Sequence, residues 1–313
     1  MKKHLNSFFL MLLAMFLLSF PLSAQDDDQM EEDQMEEDST GLPGDHFSLE
    51  GALELFKNAA SLEDFEKALN TEDNTVNNLD LNEDGKIDYV RVVDNMDGDV
   101  HAIVLQVPVS DKESQDIAVI ELEKTGAESA VLQIVGDEDI YGEQTITEPF
   151  EEENVKKDGR GGPAAVMPPV AVVVNVWLWP PVRFVYRPAY VAYVSPWRWG
   201  LYPGWWRPWR PHPWGWFHAR PRPWRAHYHV VTTHRVVRAH GVYAPRRSHA
   251  TVVHTRTVTK VNARGGTKTT SHTTVKGRNG RVKAEKTTTT RTGKNGNVSR
   301  TKTTVRGGRK RGG

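Results

Sequence analysis

Four side chains that carry oxygen ligands recur at short spacing in one stretch of the sequence: Asp80, Asn82, Asp84 and Asp88. They occupy positions 1, 3, 5 and 9 of a loop in which Gly85, at position 6, permits a sharp turn. Lys86 at position 7 can offer its backbone carbonyl, and Ile87 at position 8 can anchor the loop to a core. A hard cation such as calcium takes about six to eight oxygen ligands. The spacing therefore predicts a Ca²⁺ site.

The stretch DLNEDGKID resembles the EF-hand and dockerin-type calcium loop, and also the shorter loops of integrin-type propeller blades. Position 12, where the EF-hand has its bidentate acid, is Arg91, and residues 86–93 have the pattern of a strand instead of an exiting helix. A loop followed by a strand is therefore the expected calcium site. The alternative is an Asn/Asp/Gly-rich turn that needs no metal.

Tryptophan, arginine and proline interleave between residues 197 and 225, and the composition resembles that of Trp/Pro/Arg-rich host-defence peptides. Indole rings favour the lipid headgroup boundary, and arginine pairs with phosphate. The predicted membrane- or polyanion-binding residues are Trp197, Arg198, Trp199, Trp205, Trp206, Arg207, Trp209, Arg210, Trp214, Trp216, Trp224 and Arg225. The alternative is an irregular aromatic surface that is packed by stacking of arginine and proline on tryptophan.

Two further chemistries have weaker support in the sequence. His227 and His229, if they lie in one strand, share a face and could bind zinc, copper or nickel, although polar surface is the alternative. The sequence has no GxSxG, HExxH, P-loop or Rossmann motif. It also has no cysteine, which excludes disulfides, thiolate metal sites and a cysteine nucleophile. We therefore expect a protein that is not an enzyme.

The charges of the chain are divided between its two halves. Lys plus Arg and Asp plus Glu each number 40 in 313 residues, so the formal net charge is zero. Residues 1–158 hold 39 of the acids, whereas residues 159–313 hold 30 of the basic residues and a single acid, Glu285. Opposite charges of this size predict attraction between the halves, within one chain or between chains.

The first 24 residues have the pattern of a secretory signal peptide. Lys2 and Lys3 precede an apolar run at residues 8–20, and Ala24 supplies a small residue for cleavage. The run is too short to cross a bilayer comfortably. We therefore expect export to the periplasm, the outer membrane surface or the extracellular space.

Residues 45–142 have the pattern of a small α+β domain. Ser48 and Ser61 are predicted to cap two helices, the second with Asp64 as a capping-box partner. The apolar residues that share a helix face are Leu49, Leu53, Phe56 and Ala60, then Leu62, Phe65 and Leu69. An antiparallel meander of four strands is predicted at residues 86–93, 100–109, 117–123 and 130–135. The stretches KIDYVRVVDNMDG, IVLQVPVS and LQIVGDEDIYG are similar to exported bacterial proteins of unknown function, a resemblance that implies no activity.

Outside this domain, the chain divides by composition. Residues 25–44 are an acidic segment that we expect to be disordered, and residues 143–162 are a linker. Residues 163–247 form a largely irregular Trp/Pro/Arg/His-rich region. Residues 248–313 form a basic, Thr/Gly-rich tail, in which Asn-Gly turn signals favour β-hairpins but the scarcity of apolar residues favours disorder.

These features together predict a non-catalytic exported envelope or surface protein. A calcium-steadied acidic domain would carry a cationic aromatic region that binds anionic lipid, lipopolysaccharide or glycan. One alternative is a protein that binds extracellular nucleic acid, because basic residues suit phosphate and aromatic rings suit base stacking. The other is an exported hydrolase with an unrecognised site.

Overall fold

Six antiparallel strands form the central sheet in sequential order, β1 to β6. They are β1 Arg91–Asp97, β2 Val100–Pro108, β3 Ser114–Gly126, β4 Ser129–Gly136, β5 Thr145–Pro149 and β6 Tyr228–Val231. With the helices described below, this sheet confirms the α+β class. The computed structural model describes residues 39–72, 74–151, 173–220, 222–251, 253–261, 267–276, 282–292 and 298–307. The predicted signal peptide and most of the acidic segment lie outside these residues.

In the part of the chain that the structure describes, two α-helices precede the sheet, and both begin at the predicted caps. Helix α1 is Leu49–Asn58, and Ser48 Oγ accepts a hydrogen bond of 3.1 Å from Gly51 N. Helix α2 is Leu62–Leu69, and Ser61 Oγ accepts one of 3.1 Å from the backbone N–H of Asp64. A hydroxyl at the N-cap satisfies an amide that would otherwise lack a partner. The predicted apolar residues within both helices are buried, whereas Ala60 lies outside α1 and is exposed.

Both faces of the sheet are covered, as β2 shows by being buried along its whole length. Side chains alternate between the faces of a strand. Ile103 and Leu105 pack in the main core with α1 and α2. Ala102 and Val104 point to the other face, where they pack with Tyr243 of a later helix. A strand with two covered faces becomes almost continuously apolar, which explains the IVLQV run.

The predicted four-stranded meander is wrong in extent, because the sheet has two more strands. Strand β5 lies within residues 143–162, which were expected to be a linker, and β6 lies within the region that was expected to be irregular. Ile146 pairs with Val231 although 85 residues separate them in sequence. The local sequence gives no indication of such a pairing, because short edge strands depend on their partner more than on their own pattern.

The first strand begins later than predicted, at Arg91 instead of residue 86. The backbone N–H groups of residues 87 and 88 bind loop carbonyls instead of a neighbouring strand. Ile87 N donates to Trp209 O and Asp88 N donates to Leu79 O, each at 2.8 Å. The segment is thus extended, as the alternation predicted, but its hydrogen bonds fix the loop at Asp80 in place.

The basic half of the chain completes the core of the acidic half. Among the described residues after β4 there are four short α-helices: α3 Glu138–Tyr141, α4 Pro180–Val185, α5 Trp214–Ala219 and α6 Val237–Tyr243. Proline begins α4, where its missing N–H costs nothing. Val182 and Val185 of α4 are buried in the main core, while α6 covers the opposite face. The aromatic region is therefore folded against the domain and is not an independent surface.

A second antiparallel sheet closes the chain, in the order β10-β9-β8-β7. Its strands are β7 Val253–Val261, β8 Thr267–Lys276, β9 Val282–Thr292 and β10 Val298–Gly307. The basic tail was expected to form either β-hairpins or a disordered segment, and the structure has the strands. The predicted turn signals lie between these strands and outside the described residues. Among the helices that are described, none is long and apolar enough to cross a membrane.

Candidate functional site

The loop at Asp80 turns its polar side chains inward. Asp80 Oδ1 and Oδ2 accept hydrogen bonds from the backbone N–H groups of Asp84, at 3.1 Å, and Gly85, at 3.0 Å. Asn82 Oδ1 accepts from Asp84 N at 2.9 Å, and Asp84 Oδ1 accepts from Lys86 N at 2.9 Å. Gly85 has a φ of +80°, the left-handed conformation that the turn requires. The predicted ligand positions are therefore organised around one turn.

Asp88 is the buried member of this set. Its side chain accepts hydrogen bonds of 2.5 Å from Leu81 N and from Asn82 Nδ2. Burial, with the nearby charges of Asp80 and Asp84, raises the pKa of the Asp88 carboxyl to about 7 although those hydrogen bonds lower it. The ligand atoms of the three carboxylates, all within the described residues, do not lie within 4.8 Å of one another. Binding of a cation by all three would therefore draw them together.

The aromatic region lies directly against this loop. The backbone bond from Ile87 N to Trp209 O joins the two, and a pair of hydrogen bonds joins Asn78 to His212. Asn78 Nδ2 donates to His212 O at 3.0 Å, and His212 N donates to Asn78 Oδ1 at 2.8 Å. The segment that contains most of the tryptophans is thus positioned by Asn78, just before the predicted calcium loop, and by the backbone of Ile87 within it.

A cleft of about 580 Å³ separates the loop from the aromatic segment. Its aromatic wall comprises Tyr89, Trp199, Tyr202 and Trp206. The ring of Trp206 meets Tyr89 edge-on at 5.2 Å and Tyr202 at 4.7 Å, between ring centroids. The lining also includes Asn82, Asp84 and Asp88 of the loop, together with the cations Lys86 and Arg207. Aromatic rings and oxygen acceptors therefore line one cleft.

An unsatisfied donor lies in the wall of this cleft. Trp206 is buried, with 8% of its surface exposed, and its Nε1 has no hydrogen-bond partner among the described residues. A buried indole N–H normally finds an acceptor, because a donor without one loses its hydration for nothing in return. The unpartnered N–H is therefore enclosed within the packed aromatic wall and is not open to the cleft.

The structure separates the twelve predicted binding residues into exposed and packed ones. The indoles of Trp199 and Trp205 are 38% and 46% exposed, and the ring of Trp205 contacts Tyr89 beside the cleft. Four arginines are exposed: Arg198, Arg207, Arg210 and Arg225. The remaining indoles are half-buried or buried: Trp197, Trp206, Trp209, Trp214, Trp216 and Trp224. The interleaved sequence therefore does not form one continuous aromatic face.

Sequence reasoning missed two buried carboxylates beneath the aromatic segment. Glu66 of α2 accepts hydrogen bonds from Tyr89 Oη at 2.8 Å, Val92 N at 2.7 Å and Ser195 Oγ at 2.9 Å, and burial raises its pKa. Asp94 Oδ2 accepts from Tyr190 Oη at 2.9 Å. In the sequence, Glu66 is only one of several polar residues on α2. Its burial could not be predicted, because it depends on the distant segment at Ser195 that packs over it.

The second of these carboxylates forms a buried dyad with a histidine. His101 Nδ1 lies 2.8 Å from Asp94 Oδ2, and both residues are at most 3% exposed. The rings of Tyr186 and Tyr190 cover His101 edge-on. A hydrolase that used this pair would have to admit substrate through that wall. The contacts indicate that the dyad fixes strands β1 and β2 to the segment above them.

The histidine pair proposed from the sequence is not assembled. His227 ends a 3₁₀ turn and is exposed, whereas His229 lies in β6, with its Nε2 3.7 Å from Glu148. The two residues therefore do not share a strand face. Among the described residues, a different histidine pair, His234 and His240, converges on Glu121.

The two halves of the chain also meet through ion pairs. Arg247 binds Asp137 at 2.5 Å and Asp139 at 2.7 Å, while Arg238 lies 2.6 Å from Glu123. Hydrogen bonding and attraction from Asp137 raise the pKa of Arg247, although burial lowers it. Opposite charges are thus paired within one chain.

Comparison of the chain with protein-family models, with curated proteins and with solved structures found no match.

Proposed function

We propose that the protein is an exported, non-catalytic binding protein whose aromatic cleft takes a sugar unit of an anionic envelope glycan, lipopolysaccharide included. The observation that carries the proposal is the cleft itself, whose lining combines four aromatic rings with three oxygen-bearing side chains of the loop at Asp80. Ligand sites of this kind combine an apolar surface with a few polar groups that fix orientation.

The chemistry of a sugar suits both the aromatic and the oxygen-bearing side chains that line the cleft. The C–H face of a pyranose ring can pack on an indole such as Trp199, while hydroxyl groups donate to carboxylates such as Asp84. The exposed guanidinium of Arg207 would pair with a carboxylate or phosphate on the glycan.

Calcium would support this binding from the loop. The proposed ligands are Asp80, Asn82, Asp84 and Asp88, with the carbonyl of Lys86. Because three carboxylates without a cation would repel an anionic glycan, Ca²⁺ would remove the repulsion and draw the loop together. Arg91 in place of the usual acid implies weak affinity, on the order of 0.1–1 mM, as in extracellular calcium sites.

A glycan fits the structure better than a flat bilayer does. Insertion into headgroups requires many exposed indoles on one face, and only Trp199 and Trp205 of the ten tryptophans are among the exposed large hydrophobic residues. The signal-peptide pattern of residues 1–24 supports export, so the periplasm, the outer membrane surface and the medium are the proposed locations. Anionic lipid remains an outcome of the test below.

The test measures binding of the mature chain to purified lipopolysaccharide, to its delipidated polysaccharide and to anionic vesicles, with calcium. We expect tryptophan fluorescence to change with the two saccharides, and Trp199→Ala and Arg207→Ala to weaken binding about 10-fold or more. Leu178→Ala is the control, since Leu178 is 78% exposed and lies outside the cleft lining. Binding to vesicles alone, or equal weakening by the control, would contradict the proposal.

One observation favours a second candidate, extracellular nucleic acid. Strand β10 exposes Lys302, Thr304 and Arg306. Every second residue of a strand points to the same face, so the cations Lys302 and Arg306 lie on one face of the basic sheet. Cations at this spacing suit a phosphate backbone, and such binding weakens steeply as salt rises. Retention on single-stranded DNA that is lost in Lys302→Glu/Arg306→Glu, but kept in Trp199→Ala, would favour this function over glycan binding.

A further inference from the structure

Two histidines from the basic half converge on one buried carboxylate at the far face of the sheet, away from the aromatic cleft. Glu121 of β3 is fully buried. His240 Nδ1 lies 2.8 Å from Glu121 Oε1, and His234 Nε2 is hydrogen-bonded to Glu121 Oε2. The two imidazole rings meet edge-on, with their centroids 4.8 Å apart. The potential ligand atoms of all three side chains lie within 4.8 Å of one another.

The surrounding structure positions both histidines. Gln133 pairs with Glu121 across the β3–β4 ladder, so the two side chains are neighbours on one face. The Gln133 amide binds the segment before α6 at both of its polar atoms: Nε2 donates to Thr233 O at 2.9 Å, and Oε1 accepts from Arg235 N at 2.7 Å. His234 lies between these anchors, and His240 follows on α6. The cluster is therefore held by a buried framework.

The neighbouring carboxylates are already matched by arginines. Arg235 lies 3.2 Å from Glu148, and Arg238 lies 2.6 Å from Glu123. Each guanidinium has its own carboxylate, which leaves Glu121 to the two imidazoles. Of three carboxylates on this face, one is thus surrounded by the side chains that transition metals prefer.

We propose that Glu121, His234 and His240 form a Zn²⁺ site. Two imidazole nitrogens and one carboxylate oxygen are a zinc donor set, with metal–ligand distances of about 2.0–2.2 Å. Ligand atoms on one zinc ion are about 3–4 Å apart. Small side-chain rotations would therefore let a zinc ion replace the hydrogen bonds that now connect Glu121 to the two histidines. His234 and His240 are partly exposed, which gives the metal an entry path and leaves a fourth position to water.

The site would fasten α6 to the sheet and is independent of the proposed glycan binding. Calcium prefers oxygen ligands, so the loop at Asp80 and this site should take different metals. Excess Ca²⁺ should therefore leave zinc binding unchanged. The chemical class of the cofactor follows from the donor set alone.

The test titrates Co²⁺, as a coloured substitute for zinc, into the full mature chain after chelation. We expect one equivalent of cobalt to give visible ligand-field absorption that Zn²⁺ abolishes, and His234→Gln/His240→Gln to lose it. His227→Gln is the matched control and should retain it, because His227 is exposed and outside the cluster. Equal absorption in the double variant, or none in the wild type, would overturn the proposal.

A second measurement needs no variant and so does not depend on whether the double variant folds. Diethyl pyrocarbonate modifies accessible imidazoles, and mass spectrometry locates each adduct. Free zinc at ten times its Kd should slow modification of His234 and His240 about 10-fold, with His227 unaffected. Uniform slowing of all histidines, or no slowing, would count against the site.

Discussion

Arg247 joins three acidic side chains at the start of α3, two of which are almost fully buried. The side chains of Asp137 and Asp139 are 1% and 6% exposed. Arg247→Ala would remove the cation that neutralises these buried carboxylates, so we expect a loss of roughly 3–5 kcal/mol in the free energy of unfolding. Urea denaturation at neutral pH measures it. Arg246→Ala, which removes an exposed guanidinium, should cost no more than about 0.5 kcal/mol, and equal losses would contradict this role.

Asp116 should make stability depend on pH. Burial raises its pKa to about 6, although hydrogen bonds from Gln106 and Ser248 N lower it. Because the unfolded pKa is about 3.9, the folded state binds more protons between pH 4 and 6. The stability that Asp116 contributes is therefore present below about pH 4 and lost as pH rises through about 6, by roughly 3 kcal/mol in total.

Urea unfolding across this pH range checks the expectation. The stability of Asp116→Asn relative to wild type should rise by up to roughly 3 kcal/mol between pH 4 and 7. The exposed Asp111→Asn is the control and should run parallel to wild type. A parallel curve for Asp116→Asn would show that the carboxyl does not titrate as described.

Single residues were predictable from the sequence where their role is local. The caps Ser48 and Ser61 act on backbone groups three residues away, so the sequence contains both partners. Glu66 and Glu121 have partners more than 100 residues away, Ser195 and His234 among them. Nothing near either glutamate in sequence indicates those contacts, because long-range packing alone brings the groups together.

At the scale of elements, the loop at Asp80 should bind calcium and stabilise the fold. A ligand that binds only the folded state adds about 1.4 kcal/mol at ten times its Kd. For a chain of this size, we expect millimolar Ca²⁺ to raise Tm by roughly 3–6 °C over EDTA. Magnesium should raise it less, because it demands tighter octahedral geometry. Thermal melting of the mature chain measures both.

Variants of the loop separate metal binding from a plain turn. Asp84→Ala should abolish the rise in Tm with calcium, whereas Asp111→Ala, outside the loop, should preserve it. Asp84 is exposed, so its removal should leave the metal-free protein folded. If the Tm of the wild type does not change at calcium concentrations several times the expected Kd, the loop at Asp80 is only an Asn/Asp/Gly-rich turn.

Strand β6 and helix α6 should be required for the α+β domain to fold well. Without them, β5 keeps only β4 as a partner and becomes an edge strand, and the apolar face under Tyr243 is exposed, including Ala102 and Val104. We expect a fragment of residues 40–151 to bind a hydrophobic dye and unfold with low cooperativity, and residues 40–251 to unfold cooperatively. Identical urea midpoints and slopes for both fragments would contradict this dependence.

The elements of the acidic half were largely predictable, because strong periodicity marks them. Strands β2, β3 and β4 overlap their predicted ranges, and Asp97-Gly98 forms the expected hairpin. The sequence fails at β5 and β6, which are short and lie at opposite ends of a segment rich in proline and glycine. Their pairing depends on a chain reversal that buries aromatic side chains, and periodicity does not describe such packing.

For the whole molecule, the opposite charges of the halves act together with a shared apolar core. Partly exposed pairs such as Arg238–Glu123 are screened by salt, since the Debye length falls to about 3 Å at 1 M. The contacts of Val182 and Tyr243 with the acidic half are apolar and buried, so salt does not weaken them. Charge therefore accounts for only part of the attraction between the halves.

Cleavage of the folded chain tests this balance directly. A protease site placed in residues 152–172, outside the described residues, would divide the halves after folding. We expect the cleaved halves to stay together on size exclusion at low salt and at about 1 M NaCl, with affinity lowered about 10-fold at high salt because the exposed ion pairs are screened. A reference run of the cleaved protein in urea gives the elution volumes of the separated halves. Separation in salt alone would mean that charge holds the halves together without the core, and separation at low salt would mean that neither does.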